Sequence, residues 1–579
     1  MIVSQTSNGK RTFFFLLSFF LINTVSFTSL LAAIAFISGS SVQQWFFPVS
    51  VILATIINFY AAGLAGNKEK RSIFLKSLLA GIFIIISAIL IAGYFYDTSA
   101  DGLVYHQETI YQLKTGWNPV NKILPDSVNQ AIWINHYAKG AEIPQASIYS
   151  MTNRIETGKA TNIILLAGSF FLTASALSVF GRLTMRKVLL LSGFLVLNPV
   201  TINQLFTYYV DGQLACLLVC LLAIFILIYK SCNRYYLLLL ISLIIITVNI
   251  KFTALVFTAF FAMAFLSLLL VLKKIKLFRK VFYSCLAGAL LGVVLVGYNP
   301  YIINTVNYNH PFYPLMGESS IDIIQESYPI GFSEKGRFEK FFISFFSHTD
   351  NEGSWAWEER RPTLKLPFTF NKVDISNART EDTRVAGFGP FFSGIFLMAF
   401  LFFLIASIRY QSKSIVSKVL YIVAVLLVSV LVVPEAWWAR YVPQLWIIPL
   451  LLIVAIEMNN SIMPVFLKRL FYLFVFFNIS FSLLSVPYRI LMTLQLEYQL
   501  RQLEASGTNV NVEWGNAKTN RVRFMEHNIP FREQKIDKAV AIEIIGSDSK
   551  FEKPGSIPPV SMPLLLKWWR GIKPENKLD

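Results

Sequence analysis

The sequence predicts an all-α polytopic membrane protein with about thirteen transmembrane helices, long loops on one side and a small C-terminal α+β tail. Three observations carry that class. Hydrophobic residues fill 55% of 579 positions and charged residues only 15%, against roughly a quarter charged in soluble domains. Apolar runs near the ~20 residues that cross a bilayer recur along the chain. Lys and Arg collect in alternate connections, which is the mark of a set orientation in the membrane.

The first run, Thr12 to Ile37, follows Lys10-Arg11 and precedes Ser38-Gly39-Ser40-Ser41. It is too long for the apolar stretch of a signal peptide, so an uncleaved span is expected. Further spans are expected at 45–65, 73–96, 162–180, 188–206, 210–229, 235–250, 252–272, 281–303, 388–408, 415–433, 441–457 and 465–486. Lys68, Lys70 and Arg71 then fall on one side, with Arg182, Arg186, Lys187, Lys230 and Arg234. Lys273-Lys274-Ile275-Lys276, Arg279, Lys280, Arg409, Lys413, Lys418, Lys468 and Arg469 join them. That side is expected to be cytoplasmic and to hold the N-terminus. The loops 97–161 and 304–387 and the tail from 487 are then extracytoplasmic, and the expected location is an integral cytoplasmic (inner or plasma) membrane.

The net charge of +18 records this orientation, and no nucleic-acid partner is read from it. Cys216, Cys220, Cys232 and Cys285 lie in or beside apolar runs and read as packing residues, not a disulfide framework. In the tail, 509–514, 521–524 and 540–545 alternate like short strands. Four prolines between 554 and 563 break the chain before Leu564. Trp568 and Trp569, beside Lys567 and Arg570, suit a membrane interface.

Residues able to carry chemistry stand where spans leave the membrane. After Asp97-Thr-Ser-Ala-Asp101, the spacing from 102 to 115 predicts a short amphipathic helix. Leu103, Ile110, Leu113 and Trp117 share one face, and Asp101, Tyr105, Glu108 and Gln112 the other. Such a helix is expected to lie on the membrane surface and present its acids outward. Asp211, in Tyr208-Tyr209-Val210-Asp211-Gly212, opens a span on the same side, as a helix-end charge or as a second acid of one cavity. Lys251, in apolar sequence, and Arg440, in Trp437-Trp438-Ala439-Arg440-Tyr441, stand where a cation is costly. They either snorkel to headgroups or converge on a phosphate, which Arg can grip bidentately. The loops add His136, His310 and the Trp355-Ala-Trp357-Glu358-Glu359-Arg360-Arg361 stretch. No P-loop, Cys-x-x-Cys, His-Glu-x-x-His or Gly-x-Ser-x-Gly motif occurs, so use of ATP is not indicated.

Four of these motifs, in this order and all on one side, resemble the GT-C superfamily of membrane glycosyltransferases, which use sugars linked to polyprenyl lipids. Asp101, Tyr105, Gly116 and Pro119 match the spacing of its first outer loop, with Gly102 in place of a second acid. Tyr209-Val210-Asp211 resembles the second acidic motif, when the third span is counted as the family's first. His310-Pro311-Phe312-Tyr313-Pro314 is similar to a segment that opens a large outer loop, and Arg440-Tyr441 to a late Arg-Tyr. The resemblance divides the chain into two extra helices (1–72), a GT-C-like core with its first outer loop (73–303), a large loop (304–387), C-terminal helices (388–486) and a small outer domain (487–579).

The resemblance implies transfer of a hexose or pentose from a polyprenyl-phosphate donor to a lipid, glycan or protein acceptor at the outer face, as in cell-envelope polysaccharide synthesis. Asp101 is then the base that takes the acceptor's proton. Asp211 is a second catalytic acid, orienting the acceptor or holding Mg²⁺ or Mn²⁺, and Lys251 and Arg440 bind the donor phosphate. Tyr105, Glu108, His136, His310 and Tyr441 are candidate substrate contacts. Two further readings stand beside this one: a polysaccharide ligase or polymerase using a lipid diphosphate, and a lipid or solute transporter.

Overall fold

The structure, a computed structural model, describes residues 2–66, 69–318, 320–324, 327–351, 361–409, 413–458, 463–556 and 558–572. Lys68, Trp355, Trp357, Glu358, Glu359 and Arg360 lie outside the described residues. The chain opens with helices α1 (Ile2–Ile37), α2 (Phe46–Ala61) and α3 (Lys70–Tyr94), and the first loop carries α4 (Gln107–Lys114), α5 (Ala131–His136) and α6 (Glu142–Thr152). There follow α7 (Ala160–Ser178), α8 (Met185–Val196), α9 (Pro199–Gln204), α10 (Asp211–Ser231), α11 (Arg234–Val248), α12 (Phe252–Val271) and α13 (Ile275–Ala289). The second loop holds α14 (Ile303–Tyr308), α15 (Arg337–Phe345) and α16 (Lys372–Asn377). Last come α17 (Phe392–Arg409), α18 (Lys413–Leu431), α19 (Ile447–Glu457), α20 (Val465–Leu483), α21 (Ser485–Ser506), α22 (Asn520–Glu526) and α23 (Leu564–Ile572).

Among the described residues, eight helices are long and apolar enough to cross a membrane, and the chain is a helical, multi-pass membrane protein. Three of the thirteen expected spans are shorter or broken. The apolar stretches Arg234–Val248 and Pro443–Glu457 fall below that length. The expected span at 188–206 is interrupted where α8 stops and Asn198 caps α9, accepting from the Val200 amide at 2.9 Å, with Pro199 in the first turn. Irregular backbone of this kind is tolerated at membrane depth only where protein or a cavity covers it.

The bundle has two unlike ends. At one, Lys274 and Lys418 stand 3.8 and 5.6 Å from the Tyr229 ring centre, and Lys187 pairs with Glu457 at 2.5 Å. The other end gathers both loops and the tail. Lys139 donates to Asn299 at 2.6 Å there, and Asn203 to the Ala378 carbonyl at 2.9 Å. The first helix is no appendage to this bundle. Ser18 donates to the Gly168 carbonyl and Ser242 to Asn23, each at 2.7 Å, and Phe15, Leu16 and Phe19 belong to the main core.

The expected helix after Asp101 forms, as a wide π turn over Gly102–His106 that runs into α4. Its apolar side does not rest on lipid. Ile110, Leu113 and Trp117 are buried with Phe36, Tyr149, Tyr208 and Val522, because the tail folds back over them and Thr519 donates to the Leu103 carbonyl at 2.6 Å.

The tail is carried on α21, which starts two residues after α20 ends. Its strands β1 (Val510–Glu513), β2 (Phe531–Glu533), β3 (Ala541–Glu543) and β4 (Lys550–Glu552) form one sheet in the order β2-β1-β4-β3. β1 and β2 run parallel and the other pairs antiparallel. Residues 521–524, expected as a strand, belong to helix α22 instead. Four residues are too few for alternation to exclude a helix, and here Val522, Arg523 and Phe524 are all buried in succession. The last helix, α23, exposes Leu564, Leu565 and Trp568.

Candidate functional site

Where the shortened helices end, the loop-bearing end encloses a cavity of about 850 Å³. Five ionic side chains from well-separated parts of the chain meet on its wall. Asp101 precedes the π turn, Asp211 is the first residue of α10, and Lys251 is the extended residue before α12. Arg440 sits in a short turn at Ala439–Tyr441, and Asp382 comes from the second loop. The Arg440 guanidinium lies 3.0 Å from Asp101, 3.4 Å from Asp211 and 3.0 Å from Asp382. Lys251 reaches the other oxygen of Asp211 at 2.6 Å. Arg384 in turn holds Asp382 at 2.7 Å, and Trp438 Nε1 donates to it at 3.1 Å.

Aromatic faces surround these charges. Arg440 stands 4.9 Å from the Tyr209 ring centre, 4.8 Å from Trp438 and 5.3 Å from Tyr441, and Lys251 stands 4.6 Å from Tyr441. Such contacts favour a cation in partly dry surroundings. Burial opposes the charge on Arg440, but Asp382, Asp101 and Asp211 outweigh it and hold the guanidinium pKa above its ordinary value. Burial likewise raises the phenols of Tyr105, Tyr209 and Tyr441, which stay protonated donors. The three acids differ in access: the Asp101 side chain is 28% exposed, Asp382 12% and Asp211 2%. Asp101 is the carboxylate open to the cavity.

Local backbone explains who faces the cavity. Gly102 is required by a close approach, since a Cβ there would stand 2.0 Å from Asp97 Oδ2, so a second acid has no room beside Asp101. The π turn that follows rotates less per residue than an α-helix, and π turns are frequent at functional sites. It carries Tyr105 and His106 to the cavity wall with Asp101 and turns Glu108 away. Gly140 fastens the same loop to the α11–α12 hinge: its amide donates to the Asn249 carbonyl at 2.6 Å, and a Cβ would lie 2.5 Å from that oxygen. Lys251 is two residues on. Gln204 ties Asp211 to the second loop, donating to its carboxylate at 3.3 Å and to the Glu381 carbonyl at 3.1 Å.

The candidates from the sequence therefore separate. Asp101, Tyr105, Asp211, Lys251, Arg440 and Tyr441 line one cavity. Glu108 does not; it is buried in an ion pair with Arg521 of α22 at 2.7 Å, because the π turn breaks the helical register that aligned it with Asp101. His136 is buried against Asn304 at 2.9 Å and edge-on to the stacked Tyr308 and Tyr313 rings, packed within the loops. His310 accepts from the Phe312 amide at 3.1 Å in a turn of the second loop, away from the cavity lining. Lys251 and Arg440 converge on this cavity, where carboxylates match them.

Among the cavity residues that the sequence does not single out, three bear directly on the site. Asp382, inside Arg379-Thr-Glu-Asp-Thr-Arg384, offered only a dense alternation of charge in a long loop. His106 and Glu142 pair at 2.6 Å on the cavity wall, and no spacing rule links positions 106 and 142. Close by, burial pushes the Lys139 ammonium down to about 7, with Glu142 pulling the other way.

The donor set does not fit a divalent ion. The space among the three carboxylates is filled by the Arg440 guanidinium, and both Asp211 oxygens are engaged by Lys251, Arg440 and Gln204. Among the described residues no group of three or more His, Cys, Asp or Glu side chains is placed to hold a metal. No family model, no curated protein and no solved structure matches the chain.

Proposed function

We propose that the chain is a GT-C-like glycosyltransferase of the cytoplasmic membrane. It moves a sugar from a polyprenyl-phosphate-linked donor to a hydroxyl of a lipid, glycan or protein acceptor on the extracytoplasmic face. The observation that carries this reading is Arg440 held between Asp101 and Asp211, at 3.0 and 3.4 Å, on a cavity at the loop-bearing end of an apolar bundle. A donor phosphate entering the cavity competes with Asp101 for Arg440, since Arg binds a phosphate in two parallel hydrogen bonds. Arg440 and Lys251 then face the phosphate, and Asp101 is released as a carboxylate beside the acceptor. The acceptor oxygen bonds to the anomeric carbon while the bond from that carbon to the phosphate oxygen breaks. Asp101 takes the hydroxyl proton, and the polyprenyl phosphate leaves with its charge neutralised by the two cations. Asp211 remains with Lys251 and keeps that cation aimed.

The sidedness rests on the basic end lying in the cytoplasm. Ser72, in the first turn of α3, and Ser127, in the first loop, are both exposed, so Ser127→Cys should react with an impermeant thiol reagent in intact cells and Ser72→Cys should not. The direct test is transfer by the purified protein in lipid nanodiscs, using a panel of radiolabelled polyprenyl-phosphate hexoses and pentoses. Release of polyprenyl phosphate with a labelled glycoside is the expected result. If no donor in the panel binds or turns over while a lipid-diphosphate-linked glycan does, the proposal fails and the ligase reading replaces it.

A further inference from the structure

The cavity lining holds a second group of side chains, centred on His106, that the displacement step does not use. His106 Nδ1 lies 2.6 Å from Glu142 Oε1, and both residues are buried yet line the cavity. An ionised carboxylate only accepts, so the neutral ring carries its proton on Nδ1 and presents Nε2 as an acceptor. The other Glu142 oxygen, Oε2, is buried without a hydrogen-bond partner, a costly state that a ligand donor would relieve. Aromatic rings flank the pair. Tyr105 packs on His106 with ring centres 4.2 Å apart, Tyr137 meets Tyr105 edge-on at 6.3 Å, and Trp133 lies 5.2 Å from Tyr137.

Broad apolar faces with a few fixed polar atoms are what a ring bearing hydroxyls requires: its C–H faces pack on the aromatics and its O–H groups need acceptors. The ionic partner that His106 meets in the lining is the acid Glu142, which suits hydroxyl donors better than a phosphate. We propose that Tyr105, His106, Trp133, Tyr137 and Glu142 form a monosaccharide subsite, in which His106 Nε2 and Glu142 Oε2 accept from ring hydroxyls. Its role, though not its binding chemistry, rests on the glycosyltransferase reading. The π turn supplies the coupling, since it sets His106 of this group and Asp101 of the ionic group on the same cavity.

The test is ligand-observed saturation-transfer NMR on the full chain in nanodiscs, with free hexoses and pentoses at millimolar concentration. At least one sugar should receive saturation at its ring protons. His106→Ala should weaken its binding about fivefold or more, the usual loss for one hydrogen bond, and His106→Gln, whose amide oxygen accepts, should restore part of it. Trp133→Leu should weaken it as well, with thermal melting confirming that each variant folds. Competition against the lipid-linked donor, or against the acceptor, tells which of the two supplies the ring. No binding by any sugar, or full binding in both His106→Ala and Trp133→Leu, overturns the subsite. Sugar binding without transfer from any polyprenyl-phosphate donor leaves the subsite standing and removes the transferase reading. Transfer with sugar binding untouched by the variants does the reverse.

Discussion

Asp97 and Asp101 are four residues apart, and each anchors an ionic cluster, yet the clusters are opposite in kind. Asp97 lies in a sealed one with Glu156, Lys159 and Arg523, all of them buried. Its carboxylate accepts from the Ser99 amide at 2.8 Å and the Tyr208 amide at 2.9 Å. Glu156 pairs with Lys159 and, at 2.8 Å, with Arg523 of the tail, while Lys159 also donates to the Phe95 carbonyl at 2.5 Å. Every charge is met by another charge or by backbone, and the cluster joins α3, the first loop and the tail. Asp101 belongs to a cluster equally matched in sign but open on one side to about 850 Å³. Residue type does not separate them. A sealed network gains nothing from rearranging, because any broken pair leaves a bare buried charge. An open one can exchange one anion for another, which is what a phosphate ligand would ask of Arg440.

The comparison breaks most sharply at the two aspartates. Asp101→Asn should lower sugar transfer about 10²–10⁴-fold, the share general base catalysis usually carries, with the melting temperature little changed. Asp97→Asn should leave donor chemistry formally intact and lower the melting temperature instead. If Asp101→Asn turns over normally, the open cluster is structural after all. Arg523→Ala comes next in size. It strands Glu156 with Lys159 alone and should cost about 3–5 kcal/mol of stability, seen as a lower melting temperature and faster proteolytic clipping of the tail.

Arg440→Gln and Lys251→Gln should each weaken binding of the lipid-linked donor by about 10–100-fold, the range for a hydrogen bond to a charged group. They should do so without the unfolding that Arg523→Ala brings. Unchanged donor affinity in both would leave the two cations as partners for their acids and no more. The smallest effect concerns pH at the tail. Burial raises the Glu526 carboxyl from 4.5 to about 7, where it accepts from the Ile155 amide at 2.7 Å. The folded chain therefore holds that proton more tightly than the unfolded one. Its stabilisation is full below about 4.5 and is lost as pH rises through about 7. Melting temperature should fall across that window in the native chain, and Glu526→Gln should flatten the fall.

Much of the open cluster was legible before any coordinates, and for one reason. Polar residues are expensive in lipid, so those at span ends stand out, and sidedness alone puts Asp101, Asp211, Lys251 and Arg440 at the same end. Glu108 shares a face with Asp101 only under one helical period from 102 to 115, and the π turn over Gly102–His106 changes that period midway. His136 and His310 pack within the loops, and a polar side chain in a loop looks the same in sequence whether it faces a cavity or packs under a turn. Asp382 and the His106–Glu142 pair gave no signal, since acids are ordinary in long loops.

Composition and the period of apolar residues determined the helical membrane class, the run of apolar segments and the end at which the chemistry-bearing residues collect. These are one-dimensional properties, read within a window of about 20 residues. Tertiary structure alone decided the pairing of charges, the sealing of one cluster and the opening of the other, and the folding of the tail over α4. It also decided that 521–524 is helical where a strand was expected. Those outcomes depend on contacts such as Arg440 with Asp101, 339 residues apart. No local pattern encodes which carboxylate a distant guanidinium meets, because that choice is made by the packing of the whole bundle.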